Sequence, residues 1–224
     1  MKRISLIFTA LCAAVLYSCS AGDMYEYVKN GDYAAADYSP DTQSFNAIVT
    51  VKQDQEGKVY FQLDDSHVLY PRRYPETFNG IRRIICGIET YANTNECAVL
   101  WMDYLEEGTV ASEANGVQDD GLDLISDWMT SVEDGFLTVH YDAFWGSGNV
   151  AHKLIVTPGT DPYSINLIHS ANGDEALEKG DALIYFDINS LLPDTEGAYK
   201  TLTLSWKTCD NINASKTFQF RSRQ

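Results

Sequence analysis

Apolar residues recur along this chain with the two-residue period of β-strands, and short runs of turn residues separate the repeats. The clearest alternation lies in residues 45–51, where the apolar positions are Phe45, Ala47, Val49 and Val51. Successive side chains of a strand point to opposite faces, so this spacing buries one face only. All six prolines fall outside the proposed strands, as the hydrogen bonding of a sheet requires. We therefore expect an all-β fold.

The proposed strands divide into two groups. In residues 45–105, four to five strands without a helical period fit a small OB-like barrel. In residues 122–224, six strands separated by turns predict an immunoglobulin-like β-sandwich, with a jelly roll as the alternative. Residues 106–121 are rich in glycine and acidic residues and are predicted to link the two domains. The apolar spacing in residues 122–129 suggests one short helix or a buried turn.

Residues 1–18 have the composition of a signal peptide. Lys2 and Arg3 form a basic start, and the apolar run in residues 4–16 is too short for an ordinary membrane-spanning helix. No second apolar stretch of about 20 residues follows, as a membrane-spanning helix would require. The alternatives are a plain signal peptide cut after a small residue, or an internal anchor.

A lipobox-like sequence closes this segment, and it reads Leu16-Tyr17-Ser18-Cys19. Cys19 is the expected lipid attachment site, because its thiol can form a thioether to diacylglycerol. Several acyl chains would hold the protein at a membrane. Ser20 in place of aspartate favours the outer membrane by resemblance to lipoprotein sorting rules, and the choice between its two faces stays open. Residues 19–44 are expected to form a tether.

The sequence is strongly acidic, with 32 acidic and 16 basic side chains in 224 residues and a net charge of −16. Removal of residues 1–18 takes away two basic residues and no acidic ones, which leaves 14 − 32 = −18. Neutralisation of phosphates requires clustered Lys and Arg, so nucleic acid is not an expected partner.

The acidic residues are unevenly distributed. Between Arg83 and Lys153 there is no Lys or Arg, whereas 13 acidic residues lie in that stretch. A field of one sign attracts cationic partners and speeds their encounter. We therefore expect an acidic docking surface for a basic peptide or envelope protein, with a merely solvated surface as the alternative. The candidate residues are Glu106, Glu107, Asp119, Asp120, Asp123 and Asp127.

Three cysteines follow the signal segment. Cys86 and Cys97 flank a plausible hairpin turn at residues 91–95, so they are a candidate disulfide that export would permit. With Cys209 the number is odd, and at least one thiol is free or pairs elsewhere. The alternative is that all three are small buried apolar residues.

The order of the elements resembles the NigD-like lipoproteins of Bacteroidetes over roughly residues 45–221. The resemblance rests on short segments at residues 80–84, 134–139, 152–156, 167–174 and 186–188. It implies a lipid anchor, an N-terminal OB-type barrel, a C-terminal β-sandwich and no established biochemical activity. The family name reflects a bacteriocin-associated locus, which suggests an immunity or accessory role. Residues 102–106 depart from the pattern, because they are acidic where a more basic strand end is expected.

Histidines are the natural candidates for chemistry in such a chain. Strand parity places His152 and His169 on apolar faces, so they can meet in the sandwich core if their strands are neighbours, whereas His140 shares a polar face with Thr138 and Asp142. A metal site needs a third ligand, and none is evident. We expect hydrogen-bonded histidines, with neither a metal nor a cofactor.

Motifs of catalysis are missing from the sequence. A nucleophilic Ser or Cys needs a base and an orienting acid, and neither a GxSxG elbow nor a Cys beside a His occurs. Glycine patterns for phosphates or dinucleotides are also absent. We predict a lipid-anchored envelope protein that binds or scaffolds without catalysis. The alternatives are a bacteriocin immunity or accessory lipoprotein, and a carbohydrate-active enzyme or glycan-binding module.

Overall fold

The computed structural model describes residues 42–146 and 150–223, and every regular element within these ranges is a β-strand or a turn. The predicted signal segment, Cys19 and residues 20–41 of the tether lie outside the described residues. Within the described ranges, no helix has the length and apolar character needed to span a membrane.

The first five strands close into a barrel. Its strands are β1 (Thr42–Gln53), β2 (Val59–Gln62), β3 (Val68–Pro71), β4 (Arg82–Tyr91) and β5 (Glu96–Tyr104). The order around the barrel is β1-β2-β3-β5-β4, and a short parallel pairing of β3 with β5 completes the closure. Closure leaves no unpaired edge and buries one face of every strand. Val49, Val51, Phe61 and Ile84 are among the fully buried core residues. The expected barrel is confirmed.

The remaining strands form two sheets packed face to face. The strands are β6 (Glu106–Glu107), β7 (Thr109–Val110), β8 (Asp123–Leu124), β9 (Ser131–Glu133), β10 (Phe136–Trp145), β11 (Lys153–Pro158), β12 (Ser164–Ser170), β13 (Glu178–Asp187), β14 (Lys200–Lys207) and β15 (Asn213–Phe220). Sheet 1 has the order β6-β13-β10-β8, with β9 on β10, and sheet 2 has the order β15-β14-β12-β11-β7. Leu137, Val139, Leu167 and Phe186 lie in the core between them. The expected β-sandwich is confirmed.

The segment expected to link the domains contributes to both sheets. β6 pairs in parallel with β13, and β7 pairs in parallel with β11. Each strand is only two residues long and lies at a sheet edge, so residues 106–110 carry no periodic pattern that would reveal it. Residues 122–129 form β8 and a turn, so the turn alternative holds there.

Cys86 and Cys97 are both buried thiols in the barrel core, and no disulfide joins them. The register of β4 and β5 pairs Cys97 with Thr90, four residues along β4 from Cys86. At about 3.4 Å per residue this offset is roughly 13 Å, whereas the Cα atoms of a disulfide lie within about 7 Å. Burial raises the pKa of Cys86 to about 12 and that of Cys97 to about 11, so both stay protonated at neutral pH.

Charged side chains join the barrel to the sandwich. Arg83 is fully buried, donates to Thr50 Oγ1 at 3.1 Å and forms an ion pair with Glu133 at 3.0 Å. Lys52 forms a second ion pair with Asp134 at 2.7 Å. A buried arginine is costly to desolvate unless it is paired, so these contacts fix which barrel face meets the sandwich.

Candidate functional site

One polar cluster in the sandwich is built around two histidines. His152 Nδ1 lies 2.9 Å from His169 Nε2, and His152 Nε2 lies 3.2 Å from Asp174 Oδ2. The contact between the two imidazoles confirms the expectation from strand parity. Asp174 was not identified as a partner from the sequence, where Asn172-Gly173-Asp174 indicates only a hairpin turn.

The two imidazoles of this His152–His169 pair are almost completely buried. Trp145 stacks on the His152 ring at a centroid distance of 4.3 Å, and His169 is 2% exposed. Burial, together with the charge of His152, lowers the pKa of His169 below its ordinary value. The pKa of Asp174 is lowered by hydrogen bonds from the Gly146 N–H, the His152 ring and the Glu175 N–H. Burial raises this pKa but does not outweigh them.

The hydrogen bonds fix the tautomer of His169. His169 Nδ1 lies 2.6 Å from the Gly121 carbonyl and must donate to it, so His169 Nε2 accepts when His169 is neutral. His152 Nδ1 then donates to His169 Nε2, and His152 Nε2 faces the Asp174 carboxylate.

A cavity of about 230 Å³ opens beside this pair, with Asp120, Phe144, His169 and Asp174 in its lining. The carboxylates that line this cavity accept hydrogen bonds from backbone N–H groups of the protein. Asp120 Oδ2 accepts from the Ala171 N–H at 2.8 Å, and Asp174 Oδ2 accepts from the Gly146 N–H at 2.8 Å. The arrangement can hold a proton and fix the backbone at Gly146.

A second histidine cluster lies on the outer face of sheet 1. His140 Nδ1 lies 2.7 Å from Asp127 Oδ2, and His140 Nε2 lies 3.1 Å from Asp181 Oδ2. His140 is 8% exposed, although its strand parity predicts a polar face. The reason is that residues 125–130 cover it, with Thr130 Oγ1 accepting from the His140 N–H at 3.1 Å. Within the described ranges, no three His, Cys, Asp or Glu side chains are placed to hold a metal ion.

Four of the six candidate docking residues form hydrogen bonds or ion pairs with other groups of the protein. Asp119 Oδ1 accepts from the Gly121 N–H at 3.2 Å, and Asp120 caps Ala171. Asp123 pairs with Lys179 at 2.5 Å, and Asp127 contacts His140. These carboxylates stabilise turns and neighbouring strands, which charge counting along a sequence does not reveal.

The other two candidates lie together on edge strand β6. Glu106 and Glu107 are exposed, and Glu107 accepts from the Tyr185 hydroxyl at 3.2 Å. The six candidates therefore do not form one continuous free surface. They divide between the sheet edge at β6 and the turns around β8.

A different acidic alignment crosses sheet 1. The register pairs Asp142 of β10 with Asp123 of β8 on one side and with Asp181 of β13 on the other. Paired positions on neighbouring strands place Cβ atoms about 4.5–5.5 Å apart, so like charges there repel. Lys179 offsets this in part through its ion pair with Asp123. We call Asp123, Asp142 and Asp181 the acidic row.

Comparison with known proteins identifies a family for the sandwich part of the chain. The model of the NigD-like C-terminal β-sandwich domain matches residues 106–220, which is about half of the chain and coincides with the strands from β6 to β15. No curated relative matches the chain in sequence.

Several solved structures share the fold. A candidate toxin-related protein from Parabacteroides distasonis is 21% identical, with a TM-score of 0.67 over 80% of this chain and 94% of that one. A NigD-like immunity protein from Bacteroides caccae is 19% identical, with a TM-score of 0.54 over 82% of this chain and 99% of that one. A candidate lipoprotein from Bacteroides fragilis is 12% identical, with a TM-score of 0.53 over 81% of this chain and 100% of that one.

At these identities the likeness establishes a shared architecture of barrel and sandwich, and functional statements stay with the proteins named. The family match is the firmer finding, because it covers the whole sandwich and begins at β6. The chain belongs to the NigD-like family.

Proposed function

We propose that this chain is a lipid-anchored protein of the bacterial outer membrane that binds a basic peptide or envelope protein and catalyses no reaction. Family membership, the lipobox ending at Cys19 and the fold shared with a candidate lipoprotein support the envelope location. The sandwich histidines fit the proposed lack of catalysis, since their ring nitrogens contact carboxylates, a carbonyl group and each other.

The acidic row carries the proposal for the partner. Asp142 and Asp181 occupy paired positions on neighbouring strands beside Asp123, which Lys179 already neutralises, so the repulsion between Asp142 and Asp181 raises the free energy of the free protein. A Lys or Arg side chain docked across the row would relieve this repulsion. Part of the binding free energy would then come from the loss of repulsion that exists in the unbound protein. Asp181 is 66% exposed, which leaves the end of the row open to a partner.

Binding to a lysine-rich peptide tests the proposal. The probe is a ten-residue polylysine, titrated into the full chain in neutral detergent micelles at low and at physiological salt. The variant Asp142→Asn/Asp181→Asn should weaken binding several-fold, and added salt should weaken binding to the unmodified chain.

The matched control is Asp161→Asn/Glu196→Gln, which changes the net charge equally at two exposed turn positions. It should bind like the unmodified chain. Equal weakening by both double variants would mean that net charge alone attracts the peptide. That result would reject the acidic row as the docking surface.

The anchor is tested separately through Cys19. The variant Cys19→Ser should lose metabolic labelling by a palmitate analogue and leave the membrane fraction, while the unmodified chain stays in the outer-membrane fraction. Retention of label by the variant would contradict lipid attachment at this cysteine.

A more specific role as an immunity or accessory lipoprotein is the second candidate. It is favoured by the family match and by the fold shared with a NigD-like immunity protein. Deletion of the gene should then sensitise the producing cell to one bacteriocin, and the unmodified gene should restore resistance. Unchanged sensitivity to the bacteriocins made by that cell would remove the immunity role and leave the binding proposal standing.

A further inference from the structure

A β-bulge on the outer surface of the barrel exposes two large apolar side chains side by side. The register of β4 and β5 shifts just after Gly87, which leaves Leu100 as an extra residue on β5. A bulge of this kind interrupts the alternation of a strand and redirects its side chains. Val99 and Met102 pack against the barrel core. Between them, Leu100 (57% exposed) and Trp101 (42% exposed) both face outward.

Gly87 holds the indole ring of Trp101 in place. The two residues pair across β4 and β5, and a Cβ atom at Gly87 would lie 2.7 Å from Trp101 Cδ1 and 2.9 Å from Trp101 Cε2. The five-membered part of the indole thus fills the space that a side chain at Gly87 would need. Aromatic rings that cover a glycine of a neighbouring strand stabilise sheets. Because the ring is fixed before binding, it loses little conformational entropy when a ligand covers its exposed side.

Two free carboxylates flank this ring on the same face of the barrel. Asp103 lies two residues beyond Trp101 on β5. Glu89 lies two residues beyond Gly87 on the antiparallel strand β4, and so on the opposite side of the ring, each about 7 Å along its strand. Asp103 is exposed and Glu89 is half-buried, and neither forms a hydrogen bond or an ion pair with another described residue. Residues 84–152 contain no Lys or Arg that could neutralise them.

The same face already holds one guanidinium on groups of these kinds. Arg72 lies over the Tyr91 ring, with its guanidinium carbon 3.7 Å from the ring centroid, and it pairs with Glu96 at 3.0 Å. Strand alternation places Tyr91 and Glu96 on the outer face that Trp101 occupies. No Lys or Arg of the described residues lies over the Trp101 ring. Trp101 and its two carboxylates therefore lack the cation that the chain itself supplies at Tyr91.

We infer that Trp101, Glu89 and Asp103 form a docking site for an arginine side chain of the basic partner, and we call these three residues the Trp101 platform. A guanidinium stacks on an indole by cation–π attraction, and its planar fork donates hydrogen bonds to carboxylates. An anion would be repelled by both carboxylates, and a neutral sugar would leave them without a counter-ion. The inference rests on the proposed binding of a basic partner and adds a contact on the barrel, apart from the acidic row on the sandwich.

Fluorine NMR on the full chain in neutral detergent micelles tests the platform. The chain has four tryptophans, so labelling with 5-fluorotryptophan gives four signals, and the signal missing in Trp101→Phe belongs to Trp101. The probe is a ten-residue peptide of alternating glycine and arginine, which should shift the Trp101 signal saturably. Replacement of arginine by citrulline, its neutral isostere, should weaken binding at least tenfold. Replacement by lysine, which has no planar group to stack, should weaken it at least threefold.

Two results of this titration would overturn the inference. The first is a Trp101 signal that does not respond to the arginine peptide. The second is equal affinity for the arginine peptide and either of its two analogues, because the platform then would not recognise a guanidinium.

Two variants locate the binding site. Glu89→Gln/Asp103→Asn removes both charges and should weaken the binding reported by the Trp101 signal at least threefold. Its control is Asp161→Asn/Glu196→Gln, which changes the net charge equally at exposed turn positions and should bind like the unmodified chain. Equal weakening by both double variants would mean that net charge alone attracts the peptide, and would overturn the inference.

Trp101→Leu removes the ring and should weaken binding of the arginine peptide at least threefold in titration calorimetry. The matched control is Tyr199→Leu, which changes an aromatic residue of the sandwich that is 54% exposed. Circular dichroism identifies any variant that fails to fold, and the other platform variant then decides. Undiminished binding by a folded platform variant would overturn the inference.

The platform and the acidic row give separate readouts. If Asp142→Asn/Asp181→Asn weakens polylysine binding while the Trp101 signal ignores the arginine peptide, the platform is rejected and the proposed function stands. If the Trp101 signal responds while the same double variant binds polylysine undiminished, the platform stands and the acidic row is rejected. A chain that binds neither peptide would reject both.

Discussion

His152 Nδ1 lies 2.9 Å from His169 Nε2, so a hydrogen bond joins the two buried imidazoles. Both side chains are buried, and burial is the main cause that disfavours a positive charge on His169. Neutral His169 is therefore favoured in the folded protein, which makes the stability of the sandwich dependent on pH.

Stability should fall as the pH drops below about 6.5, the pKa of an unfolded histidine. Burial lowers the pKa of folded His169, so the unfolded chain takes up a proton at this position before the folded chain does. Above the unfolded pKa, His169 gives the free energy of unfolding no pH dependence. As the pH falls from the unfolded pKa through the folded pKa, the contribution of neutral His169 to the free energy of unfolding is lost. Urea unfolding between pH 5 and 8 measures the effect.

The variant His169→Gln isolates the contribution of this imidazole, because it should show a shallower loss of stability over the same pH range. His67→Gln serves as the control, since the His67 side chain is 73% exposed. The carboxylates Asp64, Asp123 and Asp194, whose pKa values are lowered, act only below the ordinary range of aspartate, near pH 4. The same slope in His169→Gln and in the unmodified chain would contradict the prediction.

Arg83 should be the most sensitive position at the junction of the two domains. Arg83→Met removes the donor to Thr50 and the partner of the partly exposed Glu133, so it should lower the free energy of unfolding by about 1–3 kcal/mol. Adding Glu133→Gln should restore part of this loss. Chemical unfolding of the single and double variants measures both effects.

The exposed ion pair of Arg72 with Glu96 gives the comparison for Arg83. Both of its side chains are about half exposed, so Arg72→Met should cost at most about 1 kcal/mol. Similar costs for the Arg83 and Arg72 variants would show that the junction does not depend on the buried pair.

Gly121 should tolerate no side chain. Its φ is +79°, and a Cβ atom would lie 2.3 Å from the Thr208 carbonyl oxygen, which is backbone and cannot turn aside. Gly116 has a φ of +75° with open space around it, so Gly116→Ala should show only the cost of the left-handed backbone, about 1–2 kcal/mol. Gly121→Ala should lose about 1–3 kcal/mol more because of overpacking. Equal losses in thermal or urea unfolding would argue against this close approach.

The thiols of Cys86 and Cys97 should resist alkylation in the folded protein. Their raised pKa values and their burial keep them as protonated thiols that iodoacetamide reaches only after unfolding. Cys209 is partly exposed and should react first. Peptide mass mapping before and after unfolding checks the order, and a peptide carrying Cys86 joined to Cys97 would contradict the structure.

Local sequence patterns were sufficient to predict the strands, but they did not predict the polar contacts between distant residues. The alternation in residues 45–51 placed β1, and strand parity placed His152 and His169 on apolar faces, whereas the pairing of β11 with β12 brought them together. The acceptor of His152, Asp174, comes from a turn 22 residues away. A turn pattern reports backbone geometry and carries no information about which distant side chain its carboxylate will meet.

Strand period, turn residues and the order of the segments thus determined an all-β chain with a barrel followed by a sandwich, since these depend on neighbours along the chain. The tertiary structure decided which charges are free. It directed four of the six candidate docking carboxylates into turns and ion pairs, and it aligned Asp123, Asp142 and Asp181 across three strands. The physical reason is that strand register and domain contact set distances between residues far apart in sequence, and charge interactions depend on those distances.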